Sequence, residues 1–160
     1  MTYKTSLDKA AIAITIGVTI LFAVITGGQF VIIKDAGRAV PIYTTTACVL
    51  IYFIAFAFRP ISYIITEDEL VVKRLFRSVH IKRADIESVT AIEGKKIKGS
   101  IRTFGIGGLF GYYGNFSNFS IGRMTWYATR LDKIVLVKTT DNKKLIVTPD
   151  DTDAFVAAFN

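Results

Sequence analysis

The chain has 160 residues, 51% of them apolar and 21% charged, with a net charge of +7; that is the length of one ordinary domain, too short for a multidomain enzyme. The charges are spread so unevenly that residues 10–33 and 39–58 contain no Asp, Glu, Lys, Arg or His. The only cysteine, Cys48, lies inside the second of these runs, which excludes a disulfide framework and a thiolate zinc site.

In chain order, Ala10–Ile33 is 24 residues long and, as a helix rising about 1.5 Å per residue, exceeds the roughly 30 Å of a hydrocarbon core. Lys4 and Lys9 precede it as in a secretory signal. Its length and its end in Gln29-Phe30-Val31-Ile32-Ile33 argue for a retained helix, because signal cores are shorter and stop at small residues. Ala39–Phe58, 20 residues with Pro41 in the first turn, is long enough for a second span. The short polar link Lys34-Asp35-Ala36-Gly37-Arg38 makes the pair a helical hairpin. Lys4, Lys9, Arg59, Lys73, Arg74 and Arg77 on one side outweigh Lys34 and Arg38 on the other, so both termini are expected on the cytoplasmic side. Ala13 with Gly17, and Ala23 with Gly27, have the spacing that lets helices approach closely, within the hairpin or between protomers. No ionisable residue interrupts either span, so a proton or ion pathway through these two helices alone is not expected.

Beyond Arg59-Pro60 the pattern becomes short β-branched and aromatic segments between turn residues. Strands are expected at Ile61–Ile65, Leu70–Phe76, Val79–Lys82, Ser88–Ile92, Met124–Thr129, Lys133–Thr139 and Lys143–Val147. Asp141-Asn142 reads as a two-residue hairpin turn. Thr148-Pro149-Asp150-Asp151 reads as an N-cap, a first-turn proline and two acids suited to the helix dipole. A final helix of about ten residues would carry Phe155, Val156 and Phe159 on one face.

The run Ile64-Ile65-Thr66-Glu67-Asp68-Glu69-Leu70-Val71-Val72, the segment Ile81–Val89, and the ending Leu145-Ile146-Val147-Thr148-Pro149-Asp150-Asp151 with Phe155 resemble the bacterial pleckstrin-homology-like (PH-like) domains. The resemblance implies an α+β membrane protein: a two-helix anchor at 1–60, then a PH-like barrel or sandwich of seven antiparallel strands capped by a C-terminal helix at 61–160. It further implies a non-catalytic binding or scaffolding module at the cytoplasmic face; the alternative is an accessory subunit of a larger transporter or envelope-enzyme complex. The sequence departs from inositide-gripping PH domains in its first turn, where Glu67, Asp68 and Glu69 would repel a phosphorylated headgroup.

Lys73, Arg74, Arg77, Lys82 and Arg83 form the densest basic group, able to meet an anionic lipid surface or simply to be the solvent face of edge strands. Thr103–Gly122 is uncharged and rich in glycine and aromatics. It reads as a long loop whose Phe104, Phe110, Tyr112, Tyr113, Phe116 and Phe119 either pack on the barrel or meet a protein partner or a second copy. Its Gly105-Ile106-Gly107-Gly108 start lacks the rest of a dinucleotide fingerprint. His80, the only histidine, alternates with Val79 and Ile81 and is expected at the surface. No catalytic set, metal site, cofactor or nucleic-acid partner is expected.

Overall fold

The computed structural model describes residues 1–32 and 39–159; the expected link Lys34–Arg38 lies outside the described residues. A short strand, β1 (Thr2–Lys4), is followed by two apolar helices, α1 (Lys9–Ile32) and α2 (Ala39–Phe58). Nine strands come next: β2 (Pro60–Ile65), β3 (Glu69–Arg74), β4 (Val79–Lys82), β5 (Ile86–Ile92), β6 (Ile101–Gly108), β7 (Gly111–Asn118), β8 (Gly122–Ala128), β9 (Ile134–Thr139) and β10 (Lys144–Val147). The short helix α3 (Thr152–Ala157) ends the fold.

Both apolar helices are long and apolar enough to cross a membrane. They touch through hydroxyls and one amide: Thr19 and Tyr52 share a 2.8 Å hydrogen bond, and the Gln29 amide donates to Thr45 Oγ1 at 2.9 Å and to the Pro41 carbonyl at 3.2 Å. Ala13, Gly17, Ala23 and Gly27 are exposed, and nothing lies within 4 Å of a side chain added at Gly17 or Gly27. The expected close packing of the hairpin through these small residues is therefore corrected: α1 and α2 meet through another face.

The strands form two sheets, β1-β2-β3-β4 and β5-β9-β10-β8-β7-β6, so of the expected barrel or sandwich the barrel is corrected to two separate sheets, and the expected seven strands are ten among the described residues. The chain passes from one sheet to the other at Arg83–Asp85, a single 3-10 turn that leaves β4 and β5 as edges. Pairing is antiparallel except between β8 and β10, which run parallel. The β9–β10 hairpin forms as expected, but Thr139 and Lys143 close it around three residues, with Asn142 at φ 61°. That is the three-residue hairpin whose last loop position favours Asn or Gly.

Burial in β9 explains the layering. Ile134 and Leu136 join Met124, Trp126 and Ile146 on one face of the larger sheet. Val135 and Val137 join Tyr63, Leu70, Val72 and Phe155 on the other. A strand that reads as a continuous apolar run is one buried on both faces. The smaller sheet and α3 cover the second face, while Leu7, Ala11 and Ile97 pack on the first.

β1 and the segment after it bind the N-terminal residues into the sheet domain. β1 extends the smaller sheet by pairing with β2 in the register Tyr3 to Tyr63. The Thr5 hydroxyl donates to the Thr148 carbonyl at 2.7 Å, and the Ser6 hydroxyl donates to Asp150 at 2.6 Å. The expected anchor, 1–60, thus begins with a piece of the domain's own sheet. Asp8 caps α1, accepting from the Ala11 N–H at 2.7 Å, and also accepts from the Leu131 N–H at 3.1 Å.

The last helix starts later than the sequence suggests. Asp151, not Thr148, is its N-cap, accepting from the Ala154 N–H at 3.0 Å. Thr148 is fully buried; its hydroxyl accepts from the Thr129 N–H at 2.9 Å and its own N–H donates to the Tyr63 hydroxyl at 3.1 Å. Asp150 is drawn off to Arg130, at 2.9 Å.

Candidate interaction surface

The uncharged glycine-aromatic segment is a β-hairpin rather than a loop: β6 and β7 pair along their whole length and close in a tight turn at Leu109-Phe110. That turn is wedged between the two apolar helices. Leu109 and Phe110 are buried with Ala55, against Val18, Tyr52 and Phe56, and the Phe110 ring meets those of Tyr52 and Phe56 edge-on at 5.0 and 5.4 Å. The Phe110 N–H donates to Thr15 Oγ1 at 2.9 Å, and the Tyr113 hydroxyl donates to the Ala55 carbonyl. Phe110 itself has φ 57°. Gly108 permits the approach, because a Cβ there would collide with Ile14, 2.5 Å away. Thr15 and Tyr52 lie six residues inside their helices from the domain side, so the tip reaches about 9 Å past the helix ends.

Of the six aromatics that the sequence left between packing on the domain and meeting a partner, four are therefore interior to the chain. Phe110 and Tyr113 face the helices, whereas Tyr112 and Phe116 belong to the core of the larger sheet, Phe116 stacked 4.1 Å from Trp126. The physical reason is that the hairpin has two apolar neighbours, the sheet and the helix pair, where the sequence suggested only one small barrel. Phe104, 76% exposed, and the fully exposed Phe119 remain at the surface, with Ile101 on the same outer strand. β6 is an edge of its sheet.

The five basic residues do not form one patch. Lys73 and Arg77 are exposed at one end of β3, whereas Lys82 pairs in register with Glu69 at the other. Arg83 is committed to α3: its guanidinium donates to the Ala158 carbonyl at 2.8 Å and lies 5.0 Å over the Phe159 ring. Arg74 reaches back to the Arg77 carbonyl at 2.9 Å through Nε and covers the Phe58 and Tyr127 rings. Burial lowers its pKa.

The acidic turn is exposed at Thr66–Asp68, and His80 Nδ1 sits 3.0 Å from Oε2 of the half-buried Glu69. Among the described residues no group of His, Cys, Asp and Glu could hold a metal ion. Leu75 and Phe76, taken as the end of a strand from sequence, lie in the turn after β3, 58% and 60% exposed.

Two apolar helices leading into packed sheets closed by a C-terminal helix define a PH-like module with an N-terminal helix pair. The family model for the bacterial PH domain matches residues 61–160, and the chain belongs to that family. No curated protein and no solved structure matches it.

Proposed function

We propose that the protein is a membrane-anchored, non-catalytic PH-like module held at the cytoplasmic face of a bacterial inner membrane, where it binds a protein partner or a second copy of itself. The observation that carries this reading is the Leu109-Phe110 wedge between α1 and α2. A domain pinned to its helices at a buried contact is held in one orientation at the membrane, whereas a domain on a flexible tether would sample many. Membership of a family of binding modules supports the absence of catalysis. Phe104, Phe119 and Ile101, exposed along and beyond the free edge of β6, are the surface this reading assigns to a protein partner, since exposed apolar side chains on an open edge favour strand-edge association.

A reporter enzyme that works only outside the cytoplasm, fused after Asn160, is expected to be silent; activity would overturn the orientation. Cross-linking in native membranes is expected to trap a discrete complex with the wild type and none with Phe104→Asp plus Phe119→Asp, both chains being equally membrane-bound. An unchanged complex in the double variant would move the contact elsewhere. The alternative, an accessory subunit of a larger membrane complex, is favoured by the open, almost wholly apolar groove of about 520 Å³ between α1 and α2, lined by Phe22, Ala23, Val49 and Phe53.

A further inference from the structure

The turn between β3 and β4 is bonded to the end of α2. The Phe76 N–H donates to the Ala57 carbonyl at 3.0 Å, one residue before the helix stops, and the Phe76 ring lies edge-on to Phe58 at 5.6 Å. Leu75 and Phe76 are nevertheless more than half exposed. Exposed large apolar side chains at a turn are unfavourable in water unless something covers them.

Their surroundings indicate what does. Arg74 is folded back over Phe58 and donates to the Arg77 carbonyl, which holds the turn shut. Arg59 stands at the same end of α2 on its Phe110 side, 4.6 Å over the Phe56 ring and 5.8 Å over the Phe110 ring. With Lys73 and Arg77 exposed beside the turn, three cations flank its two apolar side chains and a fourth lies at the same helix end. None of the four has a carboxylate partner within 4 Å among the described residues. An apolar tip flanked by cations, level with the end of an apolar helix, matches the layering of a leaflet, where hydrocarbon lies below a band of anionic headgroups.

The geometry points to the β3–β4 turn as a second membrane contact: Leu75 and Phe76 enter the acyl-chain boundary of the leaflet in which α2 ends, and Lys73, Arg74, Arg77 and Arg59 take its anionic headgroups. This rests on the reading of α2 as a membrane span. It differs from the acidic Thr66–Glu69 turn, which lies at the opposite end of β3. Together with the Leu109-Phe110 wedge it gives the domain two fixed points on the membrane, and hence a defined tilt.

The test uses the full chain in vesicles of phosphatidylcholine and phosphatidylglycerol. Three single variants are compared, Phe76→Trp, Phe119→Trp and Phe53→Trp, with the signal of the native Trp126 subtracted. The indole introduced at position 76 is expected to lose most of its emission to lipids brominated high on the acyl chain and to resist aqueous iodide, with a blue-shifted maximum. The one at 119 should behave oppositely, and the one at 53, on the exposed face of α2, should be quenched by bromolipid. Iodide quenching at 76 as strong as at 119, with 53 still quenched by lipid, overturns the proposal and leaves a protein partner as the cover. If 53 also escapes the bromolipid, the span reading itself fails and the proposal with it.

Discussion

Phe155 has no exposed surface and is enclosed by the rings of Tyr3, Tyr63 and Phe159 at 5.1, 6.0 and 5.6 Å. Truncation of such a residue leaves a cavity as well as losing transfer energy, so Phe155→Ala is expected to cost about 3–5 kcal/mol, read by denaturant unfolding of the full chain in mild detergent. Phe159, only partly buried at the rim under Arg83, should cost distinctly less; equal losses would mean that the ring set does not anchor α3. Tyr112 carries a pH signature. Its hydroxyl donates to Asp8 at 3.3 Å, and burial, reinforced by that carboxylate, pushes its pKa up to about 12. The folded chain therefore keeps a proton that the unfolded chain releases near pH 10, so stability present below about pH 10 is lost as pH rises toward about 12. Tyr112→Phe is expected to flatten that alkaline limb in thermal melts, and an unchanged limb would assign it to other tyrosines. Phe155 was legible in the sequence from its helical spacing beside Val156. The interior place of Tyr112 was not, because its neighbours come from residues 8 and 124–146.

At the scale of elements, the β6–β7 hairpin is where the sequence misleads most. Gly105 and Gly114 face each other across the pair with φ of 113° and 122°. A Cβ on Gly105 would run into the Tyr113 carbonyl, and one on Gly114 into the Phe104 carbonyl. Glycine is depleted in strands for want of a side chain to pack, so a segment studded with it reads as loop. Here it serves the close approach of two backbones in a strongly twisted ribbon. Gly114→Ala is expected to cost at least about 1–3 kcal/mol through positive-φ strain, with the backbone collision added. A lowered melting temperature and faster amide exchange in β6 and β7 would confirm it, and an unchanged melt would refute the tight pairing. The opposite case is β9–β10, where β-branched runs around Asp141-Asn142 announced a hairpin that the structure contains. Only its loop length differed, since the Thr139 hydroxyl, accepting from the Lys143 N–H at 3.2 Å, closes the strands one residue earlier.

Across the whole molecule, the N-terminal eight residues are the least expected part of the domain. Tyr3 packs on Phe155 and its hydroxyl donates to the Ala154 carbonyl at 3.1 Å, and Leu7 packs on the other core. A fragment of residues 61–160 is therefore expected to be less stable by about 2 kcal/mol or more than the same fragment carrying residues 1–8 through a flexible linker, the worth of one buried large side chain. Equal melting temperatures would make β1 an ornament of the sheet. What the sequence by itself determined are the features encoded in local composition, periodicity and length: two uncharged runs able to span a bilayer, the β-branched and aromatic segments of β2 to β4, the apolar run of β9, and the apolar face of α3. Only the tertiary structure decided that β1 joins the sheet across two helices, that β8 and β10 run parallel, that the strands stand as two sheets and not as a barrel, and that a glycine-rich hairpin drives its tip between the helices. Each of these depends on partners far apart in the chain, whose contact energy appears only after the loop between them has been closed, and no local pattern of residues records it.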